Sequence, residues 1–323
     1  MNLDQIRTEL GSYFRVNSKE VQSWVYAQPS RIFEEARTVT RVKGKFPAIH
    51  SVTDHVVQGF VATWNELGTT KFRVNELTAY HQKVNFPIIP SEVEASWLGE
   101  MDDEDKSLEQ KSISRYIAQN ELKPKVIEDV ADLVINGVYN SGALGTYGNS
   151  MNGLIKILQN GIADATNSMY KIPLAALTDS NIVEQVTFFE QEVPAKVRKF
   201  MKRIYMSTQN AQRYILDYEN TFGAFNLNNG SKMRTRLNNW EIVGIDEMDG
   251  SDYMFCTPPG NMLKLIDKFD APQVTDIQVA DYKLKIYMEW WLGIGFWSNQ
   301  LVCVSVTQGS GSGLTTDNSL YFA

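Results

Sequence analysis

Three histidines, His50, His55 and His81, are all this chain offers for metal or acid–base chemistry of that type. His50 and His55 stand five apart. Metal-binding pairs sit two apart on a strand and three or four apart on a helix, so one face does not present both. No Gly-x-Ser-x-Gly elbow accompanies them. The acidic cluster Asp246, Glu247, Asp249 and Asp252 departs from the register of a calcium loop and lacks its closing glutamate, so it reads as a solvated turn. The glycine-bearing loop at 142–148 follows a helical pattern rather than a strand and holds no lysine. It reads as a connector, not a phosphate cradle. Cys256 and Cys303 form no C-x-x-C motif and no disulfide framework, which suits a reducing compartment or core packing. No catalytic residue, cofactor site or metal site is expected.

Two clusters have a second reading. Lys196, Arg198, Lys199, Lys202 and Arg203 fall within eight positions around Val197, Phe200 and Met201. They form either a solvated face beside a buried stripe or a patch for acidic neighbours or packaged nucleic acid. Trp290, Trp291, Phe296 and Trp297 are read as core, although interfaces also enrich tryptophan. The balance of 31 Lys and Arg against 38 Asp and Glu gives a net charge of −7. That argues against a dedicated sequence-specific DNA binder.

The elements that carry these residues are uneven in kind. At 323 residues the length suggests roughly two domains, and 43 % hydrophobic content suits a folded chain. The first residues lack the basic-then-apolar order of a secretory signal, and the greasy run at 290–297 is too short to span a membrane. A soluble protein made in a cytoplasm is expected. Residues 1–35 show helical spacing at Leu3, Ile6, Leu10 and Tyr13, with a second helix start at Asn17 and Glu20. They are either a helix on their own domain or a mobile arm reaching a neighbour. From 37 to 86 the chain reads as a long two-stranded ribbon. Its rising limb carries Val56, Phe60, Ala62 and Trp64, its turn lies at 65–68, and its returning limb carries Lys71, Phe72, Arg73 and Val74. An isolated hairpin is marginal in water, so such an arm needs a surface to lie on.

Beyond the acidic run Asp102-Asp103-Glu104-Asp105, Ser107 and Gln110 make a capping box for a helix in two pieces, interrupted at Pro124. Its second piece sets Val126, Val130, Leu133, Val134 and Val138 opposite Lys125, Glu128, Asp129, Asp132 and Asn136. A domain boundary is expected at 140–149. Helices around Val186 and Ile215 follow, the latter closed by Gly223, then a hairpin tip at Asn229-Gly230. Strands are expected at 242–245, 253–256, 284–290 and 301–306, and a loose Gly/Ser-rich tail from 307.

This order of parts resembles the major capsid proteins of tailed bacteriophages, which have what is called the Hong Kong ninety-seven fold. The resemblance spans nearly the whole chain and lies in layout. Residues 1–36 look like the N-terminal arm and 37–86 like the extended β-hairpin loop that lies over an adjacent subunit. The stretch 107–139 resembles the long spine helix. Gly145-Thr146-Tyr147-Gly148-Asn149-Ser150-Met151-Asn152-Gly153-Leu154 resembles the entry to the axial domain. Residues 202–223 look like the axial strand-and-helix unit, and Phe255-Cys256-Thr257-Pro258-Pro259-Gly260-Asn261-Met262-Leu263 like the strand and turn that follow.

What the resemblance implies is an α+β fold with a peripheral domain at 87–141, an axial domain at 142–273, return strands at 274–306 and a flexible tail at 307–323. It implies a shell subunit, not an enzyme, that builds pentamers and hexamers of itself into an icosahedral virion capsid in the host bacterial cytoplasm. A separate scaffolding protein, a portal and non-specific contact with packaged double-stranded DNA go with it, and no membrane. Phe60, Trp64, Lys71, Phe72 and Arg73 would be hairpin interface residues. An encapsulin-like compartment shares the fold. The rival of another class is a cytoplasmic enzyme using the hairpin as a dimerisation arm.

Overall fold

The computed structural model describes residues 3–89, 92–93, 97, 112–223, 233–267 and 273–315. Strand β3 (Thr70–Ile88) organises them, because its nineteen residues belong to two pairings. Its first half runs antiparallel to β2 (Gly44–Thr53), from Thr53 opposite Thr70 to Gly44 opposite Ala79. Its second half runs antiparallel to β10 (Lys283–Phe296), from Tyr80 opposite Leu292 to Ile88 opposite Leu284. On its other edge β10 pairs with β9 (Gln273–Ala280) and then with β8 (Met262–Ile266), and β8 takes the short parallel strand β1 (Arg37–Val39). Where β3 changes partner, the backbones come so close that a Cβ on Gly293 would lie 2.4 Å from the Thr78 carbonyl oxygen. Glycine is the residue that permits this approach.

The second sheet has the order β4 (Tyr170–Leu174), β11 (Cys303–Thr307), β7 (Phe255–Cys256), β5 (Arg203–Ser207), β6 (Glu241–Ile245). Every residue of β5 is buried, as a strand covered on both faces requires.

Helices α1 (Leu3–Val16) and α2 (Ser18–Tyr26) place Ile6, Leu10, Phe14 and Trp24 in the main core. Ser114 donates to Glu9 at 2.9 Å, and Lys123 pairs with Glu20 at 2.9 Å. Of the two readings of residues 1–35, the helix packed on its own chain is the arrangement present in the monomer. A single turn, α3 (Ser30–Phe33), leads on to β1.

Pro124 does not interrupt the long helix. The chain runs from α4 (Ile113–Tyr116) through a π-helical stretch (Ile117–Leu122) into α5 (Lys123–Asn136). Proline removes one donor and crowds the preceding turn. The widened π turn lies directly ahead of it and gives that crowding room, so the axis continues. Val126, Val130 and Val134 are buried on one face of α5, as the periodicity predicts, and Ile135 joins them; Leu133 is only half-buried, and Val138 lies beyond the helix end and is exposed. The helix starts with Ser112 accepting from the Arg115 amide. The capping box at Ser107 and Gln110, the acidic run at 102–105 and the Asn229-Gly230 tip lie outside the described residues.

The 140–149 stretch is a string of turns leading to α6 (Leu154–Ala163). Helices α7 (Ile182–Glu192), α8 (Ala195–Arg198) and α9 (Thr208–Phe222) complete the set, with Gly223 at φ +81° where a helix end needs it. The tail differs from expectation where it is described. Gly313 exchanges backbone hydrogen bonds with Lys171, and Leu314 is buried. The exposed edge of β4 gives the Gly/Ser run something to pair with.

Candidate functional site

Among the described residues, the most exposed large apolar side chains, Phe60 and Trp64, are on the β2–β3 hairpin. Both strands alternate, so each presents two faces. Ala48, His50, Asn75 and Leu77 turn inward, while Ile49, Phe72 and Val74 turn outward as one stripe and are exposed. The connecting loop at 54–69 adds Val56, Val57, Val61, Phe60 at 96 % exposure and Trp64 at 92 %.

The loop corrects one expectation. Residues 56–64 alternate like a strand but form none; β2 stops at Thr53 and β3 begins at Thr70, their hydroxyls 3.0 Å apart. Alternation encodes a strand only when a partner supplies the ladder and the covering surface. Among the described residues neither is present here. The loop is held by Gln58 donating to the Asn65 carbonyl at 2.8 Å and by Gly68 at φ +94°.

The inward face fixes the angle at which the hairpin leaves the body. Asn75 donates to the Phe296 carbonyl at 2.7 Å and to the Asn299 side chain at 2.9 Å. Asn299 in turn donates to the Asn167 carbonyl. His50 Nε2 lies 3.3 Å from Ser298 Oγ. Burial lowers the His50 pKa, and the nearby Arg73 charge lowers it further. Leu77, Ala79, Ala48 and Val42 pack on Leu263 and Leu265 beneath this polar layer.

The five hairpin residues singled out from sequence therefore divide. Phe60, Trp64, Lys71 and Phe72 face solvent. Arg73 turns back and donates to the Thr166 carbonyl at 2.6 Å. The basic cluster divides too. Arg198 satisfies the carbonyls of Gln191 and Val193. Arg203 is buried between Glu34 at 2.7 Å, Glu241 at 2.9 Å and Glu35 at 3.5 Å. Burial opposes its charge, but the three carboxylates more than reverse this and hold its pKa above the ordinary arginine value. Lys196, Lys199 and Lys202 remain exposed.

Sequence reasoning missed the Arg203 cluster, which ties the segment before β1 to β5 and β6. The Glu34-Glu35 pair was its only local sign, and its partner is some 170 positions away.

The residues suited to chemistry are not brought together. His81 stacks on Trp291 at 4.7 Å and sits 3.4 Å from Glu289, while His55 is on the exposed loop. Asp246 accepts from the Thr208 hydroxyl and Asp249 from the Gln209 amide, so the acidic cluster closes the start of α9. Trp290 and Phe296 are buried in the core, and Trp297 packs on Phe46. Among the described residues, no three His, Cys, Asp or Glu side chains group as a metal site, and no helix is long and apolar enough to cross a membrane. The groove between α1 and β9, about 980 Å³, is lined by Arg7, Ser12, Arg15 and Asp276 among others and holds no nucleophile–base pair.

No family model and no curated protein matches the sequence. Solved structures do match. The chain is similar to the capsid of an empty GTA particle, at 13 % identity and TM-score 0.55, over 86 % of this chain and 90 % of that one. It is similar to the satellite phage P4 procapsid at 11 % and 0.52, over 84 % and 92 %. It is also similar to the capsid of Cyanophage A-1(L) at 11 % and 0.52, over 87 % and 90 %. The likeness is one of fold: mixed helices and sheets arranged as in phage capsid structures.

Proposed function

We propose that this chain is a shell subunit, the major capsid protein that assembles with copies of itself into the icosahedral head of a tailed bacteriophage around double-stranded DNA. One observation carries the reading: a hairpin fixed at its base projects apolar side chains that nothing among the described residues covers, on a fold shared with phage capsids. Phe60, Trp64 and Phe72 would lie on a neighbouring subunit, where burying each contributes on the order of 1.5–3 kcal/mol. Many such modest contacts sum to a stable container.

In this reading residues 1–36 are the arm, 37–86 the extended loop and 107–139 the spine helix, whose described part is α4 to α5. The peripheral domain is 87–141 with the return strands at 274–306, the axial domain is 142–273, and 307–323 is the tail. Pentamers and hexamers form, with a separate scaffolding protein and a portal, in the host bacterial cytoplasm. Lys71 faces the neighbour, and Lys196, Lys199 and Lys202 face packaged DNA or acidic neighbours without regard to sequence. Arg73, Arg198 and Arg203 hold the subunit's own shape. The work of the chain is structural, not catalytic.

Electron microscopy of the purified protein, alone and with a scaffolding partner, tests this, with nucleic acid measured in any particles. Closed shells or five- and six-membered rings are expected. Shells holding only protein cargo would move the reading to an encapsulin-like compartment. A small discrete oligomer under both conditions would overturn it in favour of an enzyme with a dimerisation arm.

A further inference from the structure

A pair of thiols that no proposed interface uses lies in the second sheet. Cys256 ends β7 and Cys303 begins β11, directly opposite each other in an antiparallel pairing. Both are fully buried. Opposed residues of such a pair have Cα atoms about 4.5–5.5 Å apart. A disulfide spans about 4.4–6.8 Å, so little backbone movement is needed.

We propose that Cys256 and Cys303 are a latent disulfide, which a peroxide closes within the folded protein to staple β7 to β11. The first sulfur, deprotonated, attacks the peroxide O–O bond and becomes a sulfenic acid as the alcohol or water leaves. The second sulfur displaces the sulfenic hydroxyl, the S–S bond forms and water departs. Two thiols are oxidised by two electrons in all, and one peroxide is reduced.

Burial raises the Cys256 thiol pKa and keeps the reduced pair slow to react. The resolving thiol next door diverts the first oxidation product away from sulfinic and sulfonic acids. Strands β8, β9 and β10 all lie between the two cysteines in sequence. The bridge would therefore close a loop that runs through the larger sheet, and long closed loops restrain the unfolded chain most. This inference rests on strand register, not on the shell reading.

The test exposes the folded full-length protein to hydrogen peroxide near neutral pH. Remaining thiols are then alkylated in denaturant and the products weighed and mapped. The expected result is loss of two hydrogen atoms, a peptide pair joined through Cys256 and Cys303, and a Tm higher by about 5 °C. Dithiothreitol should reverse all three. Unreacted thiols, oxygen adducts without a bridge, bridges between chains, or a bridge that forms only in denaturant would each overturn the proposal. Cys303→Ser should show no peroxide-dependent rise in Tm; a rise there would also overturn it.

Discussion

Trp24 and Trp64 are the same residue type in opposite circumstances. Trp24 is 1 % exposed in the core beneath α5, and Trp64 is 92 % exposed on the hairpin loop. Although Val16, Phe200 and Leu216 stay exposed, most large apolar side chains of the body's helices and sheets find partners within the chain. On the hairpin they do not, and the few hydrogen bonds of the loop hold its path without covering its surface. The contrast teaches that the body is stabilised from inside, whereas the hairpin leaves open the apolar surface that the proposed shell contact would use.

The contrast breaks most severely if the body tolerates charge. Val130 is buried on α5, so Val130→Asp should unfold the protein, a loss beyond about 4 kcal/mol against a total stability of about 5–15. Circular dichroism and solubility read this; a soluble, native-like variant would mean that the face is open. Gly293→Ala comes next, because its Cβ would press on the Thr78 carbonyl at the point where body meets hairpin. It should cost about 1–3 kcal/mol in denaturant titration, and an unchanged midpoint would show that the two backbones have room to part.

A smaller effect is expected from pH. The His50 pKa is lower in the folded chain than its ordinary value of 6.5, so the unfolded chain takes up the proton more readily. Stability is therefore fullest above that value and declines as pH falls through it. His50→Gln should make the drop in Tm from neutral to mildly acidic pH shallower, and equal slopes would remove His50 from the hairpin's base. The smallest effect on stability belongs to Phe60→Ser combined with Trp64→Ser, within about 0.5 kcal/mol. The same variant should fail to form shells in sedimentation and microscopy. A substantial fall in its Tm would mean that the loop packs on its own body.

Periodicity made α5 and α7 legible, because each buries most of the stripe that its own sequence spells out; α9 was placed by the same spacing, but of Ala211, Ile215, Tyr218 and Phe222 only Ala211 is buried, with Tyr214 beside it. The late strands were legible for the same reason, with alternation at Leu284, Ile286, Met288 and Trp290 pointing into the core. The hairpin's location was legible, but not the extent of its strands, since residues 56–64 carry a strand pattern with no strand beside them. Pro124 misled because the compensating π turn is a backbone adjustment that no residue type announces. The division of the basic cluster could not be read at all. It depends on Glu34 and Glu35 arriving at β5 from the other end of the chain.

At about 3.3 Å per residue, the nineteen residues of β3 extend roughly 60 Å as one uninterrupted rod. One half is clamped against β10 inside the body, and the other, paired with β2 and tied to the body by Arg73 and Asn75, runs out to the exposed loop. Such a rod has a fulcrum but no joint. Load applied at the far end would reach the sheet as torque instead of being absorbed in a flexible tether.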